Sequence, residues 1–287
     1  MTEEEYKAEW LLGFHQTDYN NCRFADDKVQ YCKDWIEKNC KRNGYYISNL
    51  SRIVSEQKLK IATDSNYREL CANWSDKIKA MELLMASDMN NLAIPVLDYK
   101  YEKLRVQDLM NLDQSKAYIV KCNHGSGWNR QKTETNSVNS IQRDIAEWQN
   151  LNYAYIAGYE AQYENITPGY LIQPVLCDKP IDYGFWYIKG ELQAISLTKK
   201  YGKNLEEYLA FVKPDCTASD WCVGMRPEMG NLPSKFQYIV SCLRPYTDQL
   251  AKSFDFVRVD MMYVNGQPYF CEMTFTPCAG RLEVVYK

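Results

Sequence analysis

Two carboxylates towards the C-terminal end of this 287-residue chain have the spacing to hold a divalent cation. They lie in Phe256-Val-Arg258-Val-Asp260-Met-Met-Tyr-Val-Asn265-Gly266-Gln267-Pro-Tyr-Phe-Cys-Glu272-Met-Thr274. Apolar, alternating stretches flank Asn265-Gly266, a strong hairpin signal. Asp260 stands six residues before Gly266 and Glu272 six after it. With a loop of Asn265-Gly266-Gln267 the two acids become cross-strand partners on one sheet face, because side chains alternate along a strand. A strict two-residue turn puts them on opposite faces unless a bulge intervenes. A pair of carboxylates is the oxygen-rich ligand set that Mg²⁺ takes, with substrate phosphates completing the octahedron. Thr274 shares the face of Glu272 and adds a hydroxyl. Arg258 shares the face of Asp260 and can offset charge on a reacting oxyanion. Acids are depleted in strands, and these two interrupt apolar runs.

A second candidate lies mid-chain. Lys121 ends the apolar run Ala117-Tyr-Ile-Val and precedes Cys122-Asn-His124-Gly125-Ser126-Gly127. A lysine there can meet a phosphate as a point charge. Gly125 and Gly127 let backbone N–H groups approach phosphate oxygens and permit a closing lid. The same residues also suit a tight turn beside a surface lysine. The Walker A pattern is absent.

The elements that must carry these groups are mixed. Helical periodicity covers 26–40 through Val29, Cys32, Trp35 and Ile36. A second helix is predicted to open at Ser75, with Asp76 near its start, and a third spans 140–150 with Ile141, Ile145 and Trp148 on one face. A long helix is predicted over 232–254. Strands are predicted at 117–123 and 170–176, and hairpins turn at Lys189-Gly190 and Asn265-Gly266. Helices come first, then strands interleaved with helices, which reads as α+β with more than one sheet.

Composition narrows the function. A net charge of −3 and an absence of basic stripes argue against nucleic-acid binding. No apolar run approaches the ~20 residues of a membrane span. The acidic start, Met-Thr-Glu-Glu-Glu, is not a secretory signal. Eleven cysteines without a Cys-x-x-Cys pair fit reduced thiols, so a cytoplasmic location is expected. With only His15 and His124, a zinc cluster built on paired histidines is nearly excluded. No Ser-His-Asp or Cys-His signature stands out.

Taken together, Ser75-Asp76-Lys77, Ile119-Val-Lys121-Cys-Asn-His124-Gly-Ser-Gly127, Ile181-Asp182-Tyr183, Arg258-Val-Asp260 and Phe270-Cys-Glu272-Met-Thr274-Phe-Thr-Pro-Cys-Ala-Gly280 resemble the ATP-grasp superfamily. The closer resemblance is to its teichuronopeptide-biosynthesis (TupA-like) family. It covers roughly 75–280. The resemblance implies an ATP-grasp fold with the nucleotide between two α+β lobes: a pre-grasp region over 1–114, a small lobe over 115–173 and a C-terminal lobe over 174–287. It implies that Lys77, Lys121 and the His124–Gly127 loop contact ATP phosphates. Gln173, Val175 and Leu176 would form an inter-lobe hinge facing the adenine, and Asp182 would join the nucleotide site. Asp260, Glu272 and Thr274 would hold Mg²⁺, and Arg258 would stabilise the reacting centre. The chain departs from the family at Gln173 (commonly Glu), at Thr274 (commonly Asn) and at Gly184 (often Lys). Lys199 or Lys200 is the expected substitute for that lysine.

The implied activity is ATP-dependent ligation of a carboxylate to an amine through an acyl phosphate, with ATP and Mg²⁺ as cofactors. The expected carboxylate is a uronic acid or other sugar acid in cell-surface polysaccharide, and the partner an amine or amino acid. A kinase-like phosphotransferase acting on a glycan shares the ATP chemistry, and a non-catalytic nucleotide- or glycan-binding protein is the third reading. Trp128 and Trp186 are candidates to stack on sugar or adenine.

Overall fold

A computed structural model describes residues 16–133, 136–178, 180–201, 205–219 and 232–282. His15 therefore lies outside the described residues. The chain divides into two compact units: Met1–Asn39, Lys58–Lys79 and Pro95–Pro174, and Cys40–Gln57, Ala80–Ile94 and Val175–Lys287. Each unit draws on separated stretches of sequence. The fold is α+β with antiparallel sheets.

In the first unit, helices α1 (Gln16–Arg23) and α2 (Lys28–Cys40) precede the main sheet. Asp27 caps α2 by accepting from the Gln30 N–H at 2.9 Å, which satisfies one of the helix's orphan donors. Helix α4 (Ser65–Ser75) is capped by Asp64 and stops at Ser75. Asp76 then accepts from the N–H groups of Ile78 (2.9 Å) and Lys79 (3.3 Å), opening α5 (Lys77–Met85). The helix predicted to open at Ser75 thus starts two residues later.

The sheet of this unit has four strands in the order β3 (Asp98–Lys100), β6 (Tyr170–Pro174), β4 (Tyr118–Cys122) and β5 (Asn129–Gln131). Along β4 burial alternates: Tyr118, Val120 and Cys122 face inward while Ile119 and Lys121 do not. The inward side packs beneath α7 (Val138–Trp148), through Ile141, Ile145 and Trp148 as their spacing predicts.

The second unit is built on five strands in the order β11-β10-β7-β8-β9. These are β7 (Ile181–Ile188), β8 (Glu191–Tyr201), β9 (Leu205–Val212), β10 (Phe256–Val264) and β11 (Gln267–Thr274). Both predicted hairpins are present. Lys189-Gly190 (φ 50° and 75°) and Asn265-Gly266 (φ 53° and 85°) take the left-handed conformation at both central positions, which a two-residue turn between twisted strands requires. A third turn of this kind, Asn43-Gly44, joins the short strands β1 (Lys41–Arg42) and β2 (Tyr45–Tyr46). Helix α8 (Phe236–Ala251) buries Phe236, Val240, Leu243 and Leu250. Phe236 stacks on Tyr183, which places the helix over the sheet face of the odd-numbered β7 residues. The opposite face carries Trp186, Ala194, Phe211 and Phe256, packed with Leu50 and Val54.

Candidate functional site

The β10–β11 hairpin places Asp260 opposite Glu272 and Arg258 opposite Thr274. The turn has two residues, since Val264 pairs with Gln267. That register alone would pair Asp260 with Cys271. An irregularity between Asp260 and Met261 leaves Cys271 unpaired and returns Glu272 to the partner position. Of the two devices open from the sequence, the bulge is the one used.

The next strand completes the face. On β7, Trp186 pairs with Arg258, Gly184 with Asp260 and Asp182 with Met262. On β8, Ala194 pairs with Trp186, Ser196 with Gly184 and Thr198 with Asp182. This face is apolar at its Phe256 end and polar at its Asp182 end.

Arg258 sits among the oxygens. Its Nε–H donates to Asp260 Oδ1 at 2.7 Å and its Nη2 to Asp260 Oδ2 at 2.6 Å, a bidentate fork. Nη2 also donates to Thr274 Oγ1 at 3.2 Å and stands 3.9 Å from Glu272 Oε1. The guanidinium thus marks a point within reach of Asp260, Glu272 and Thr274 together. Burial pushes the Asp260 carboxyl up to about 6; Arg258 opposes that rise, while Glu272 and Asp182 reinforce it. A buried carboxylate still above its ordinary range beside one arginine is a site that gains from more positive charge. Two carboxylates and a hydroxyl are hard oxygen donors, and they fit Mg²⁺. Among the described residues, no group of three His, Cys, Asp or Glu side chains gathers for a metal, so other ligands would have to come from substrate or water.

Gly184 is required by this packing. A Cβ there would stand 2.6 Å from Ser196 Oγ, 2.9 Å from Asp260 Oδ1 and 3.2 Å from the Arg258 Cδ. The position where the resembled family often carries lysine is therefore closed to a side chain here. Lys199 lies on β8 at the register position of Ile181 and Glu207, with Lys200 next along the strand. Asp182 is buried beside this face.

In the other unit, Lys77 meets the glycine hairpin that follows Lys121 on β4. Lys77 Nζ donates to the Gly125 carbonyl, and its backbone N–H to Asn123 O at 3.1 Å. Lys121 is half-buried on β4, paired with Leu171 and Asn129. Gly125 is buried, and a Cβ on it would lie 2.5 Å from Trp128 Cε3 and 2.9 Å from Tyr153 Cδ2. The ring of Trp128 occupies the space that a side chain at Gly125 would take. Ser126 and Gly127 form the exposed tip, with Gly127 at φ 73°. His124 is 2% exposed. Its Nε2 lies 3.2 Å from Trp148 O and its Nδ1 3.2 Å from Asn123 Oδ1. Burial lowers its pKa to about 4, and because Trp148 O can only accept, the Nε2 contact needs a proton on that nitrogen. Gln173 is buried on β6 opposite Ile119, and Val175 and Leu176 follow the strand. Trp128 and Trp186 are both core residues, so neither presents a ring to sugar or adenine.

Sequence reasoning did not find Ser196. Its Oγ accepts from Trp186 Nε1 at 2.8 Å, and only the fold brings these two together.

No family model matches the chain, and no curated protein matches it. Among solved structures it is similar to an L-amino acid ligase from Bacillus licheniformis, at 12% identity over 86% of this chain and 55% of that one, with a TM-score of 0.48. It is similar to D-alanyl-alanine synthetase A from Vibrio cholerae, at 15% identity over 72% and 56%, with a TM-score of 0.41. It is also similar to the ATP-grasp ligase PsnB complexed with a minimal precursor, at 13% identity over 71% and 53%, with a TM-score of 0.38. The chain spans about half the length of each of these three proteins. Among the described residues, no helix is long and apolar enough to cross a membrane.

Proposed function

We infer that the chain is an ATP-dependent carboxylate–amine ligase of the ATP-grasp type. The observation that carries this reading is the cluster of Asp260, Glu272 and Thr274 oxygens around Arg258 Nη2. Such a face suits a reaction in which negative charge builds on phosphoryl and acyl oxygens, because fixed cationic donors act there without reorganising. Lys77 and Lys121, flanking the glycine hairpin, are assigned to the nucleotide phosphates, as are Ser126 and Gly127 at its tip. Gln173, Val175 and Leu176 are assigned to the adenine, Asp182 to the nucleotide and Lys199 to the reacting end.

In this reading a carboxylate oxygen attacks the γ-phosphorus and ADP leaves. The amine nitrogen then attacks the acyl carbon, phosphate departs with its bonding pair, and the nitrogen loses a proton. Asp260, Glu272 and Thr274 would hold Mg²⁺, which supplies charge neutralisation during phosphoryl transfer. Arg258, held by Asp260 and Thr274, would supply fixed positive charge beside the oxyanion formed at the acyl carbon.

The finer reading places the carboxylate on a uronic acid or other sugar in cell-surface polysaccharide assembly, in the cytoplasm. It rests on the sequence resemblance to the TupA-like family alone. A screen of ADP release across uronic acids, amino acids and amines tests both levels. Hydroxamate formed with hydroxylamine in place of the amine supports the ligase. ADP release that requires only a glycan hydroxyl and leaves no free phosphate overturns it in favour of a kinase.

A further inference from the structure

We propose that Trp186, held by Ser196, is a positioning residue for Arg258. The proposal rests on the reading of Arg258 given above, and it concerns how that side chain is fixed. The guanidinium carbon lies 5.4 Å from the centre of the Trp186 ring. A cation over an indole face is attracted by the ring quadrupole, most strongly where water is excluded. Trp186 is wholly buried, and its ring is set by Phe211 and Phe256 at 5.9 and 6.3 Å between centroids. Its N–H is a donor that cannot be left unpaired in such a place. Ser196 Oγ accepts it at 2.8 Å.

Three small residues make this arrangement possible. Ala194, the register partner of Trp186, leaves the face of β8 low beside the indole. Ser196 stands diagonally across, where its hydroxyl reaches Nε1. Gly184 has no side chain to hold Ser196 and Asp260 apart, since a Cβ would lie within 3 Å of both. The chain Ser196–Trp186–Arg258 therefore fixes the guanidinium from beneath, while Asp260 and Thr274 fix its nitrogens. An arginine serving a transient oxyanion must already be in place when the charge appears. A ring platform does this without spending the positive charge on a further carboxylate beyond Asp260 and Glu272.

The test reads Arg258 directly. In protein labelled with ¹⁵N-arginine, the Nε–H donated to Asp260 gives a cross-peak that Arg258→Lys identifies by its loss. Its exchange with water is measured in wild type, Trp186→Leu, Trp186→Phe, Ser196→Ala and Ser196→Thr, alongside thermal melting. Trp186→Leu is expected to speed exchange about tenfold, the scale of a desolvated cation–π contact. Trp186→Phe keeps a ring and is expected to stay within about threefold of wild type. Ser196→Ala should fall between, and Ser196→Thr should restore the protection. If Trp186→Leu does not fold, the Ser196 pair carries the test. Lower melting temperatures with unchanged Arg258 exchange overturn the proposal, because simple core packing predicts that result. The exchange measurement needs no substrate. Slowed amide formation in Arg258→Lys tests the ligase reading separately, so the two can fail independently.

Discussion

Asp260 should make the fold less stable as pH rises, and Asp260→Asn should remove that dependence. The carboxyl is 6% exposed and is raised from 3.8 to about 6, chiefly by burial, despite the bidentate Arg258. In the unfolded chain it titrates near 3.8. Between those two values the native state binds the proton and the unfolded state does not, so stability falls with increasing pH. The gap corresponds to about 3 kcal/mol of penalty present in full above pH 6 and absent below 3.8. Asparagine keeps the shape but accepts only one of the two Arg258 donors, so the comparison is of the change with pH and not of absolute stability. Urea unfolding in metal-free buffer at pH 4 and pH 7.5, for wild type and Asp260→Asn, reads the difference. The variant should gain about 2 kcal/mol on wild type between the two conditions, since a little of the penalty is already present at pH 4. A variant that loses ground on wild type over that interval would refute the reasoning, because it would mean that Arg258 outweighs burial and holds Asp260 ionised.

Three further outcomes are expected. Lys121→Ala should weaken ATP binding by roughly 1.5–3 kcal/mol, the scale of a hydrogen bond to a charged group, and calorimetry measures it. Gly125→Ala forces a Cβ against Trp128 and should cost about 1–3 kcal/mol in thermal unfolding, as overpacking does. Arg258→Lys should cut amide formation severely while leaving ATP affinity within about twofold, since a point charge cannot reproduce the fork; steady-state kinetics with each substrate varied separates the two.

Much of the site's frame was legible because strand alternation and turn chemistry are local. Asn265-Gly266 and Lys189-Gly190 announce their hairpins, and the acids break apolar runs at matching distances. The bulge at Asp260/Met261 was not legible in detail: a loop of three and a turn of two with a bulge give the same pairing. At Gly125 the sequence does not name the neighbour: the ring of Trp128 fills the space that a side chain would take, and Tyr153 packs on that ring. His124 likewise sits two residues from a surface tip yet is buried, with Nε2 committed to Trp148 O. At Gly184 the sequence shows only that the lysine of the resembled family is absent; the closure of Ser196 and Asp260 on that position is a property of the fold. The discontinuous make-up of the two units was also beyond the sequence, since periodicity says nothing of which helix joins which sheet.

Product stoichiometry tests the central claim most directly. With ATP, a competent carboxylate and an amine, mass spectrometry and phosphate release should give one amide, one ADP and one free phosphate per turnover, lost together in Asp260→Asn. A phosphorylated acceptor with ADP and no free phosphate would contradict the account.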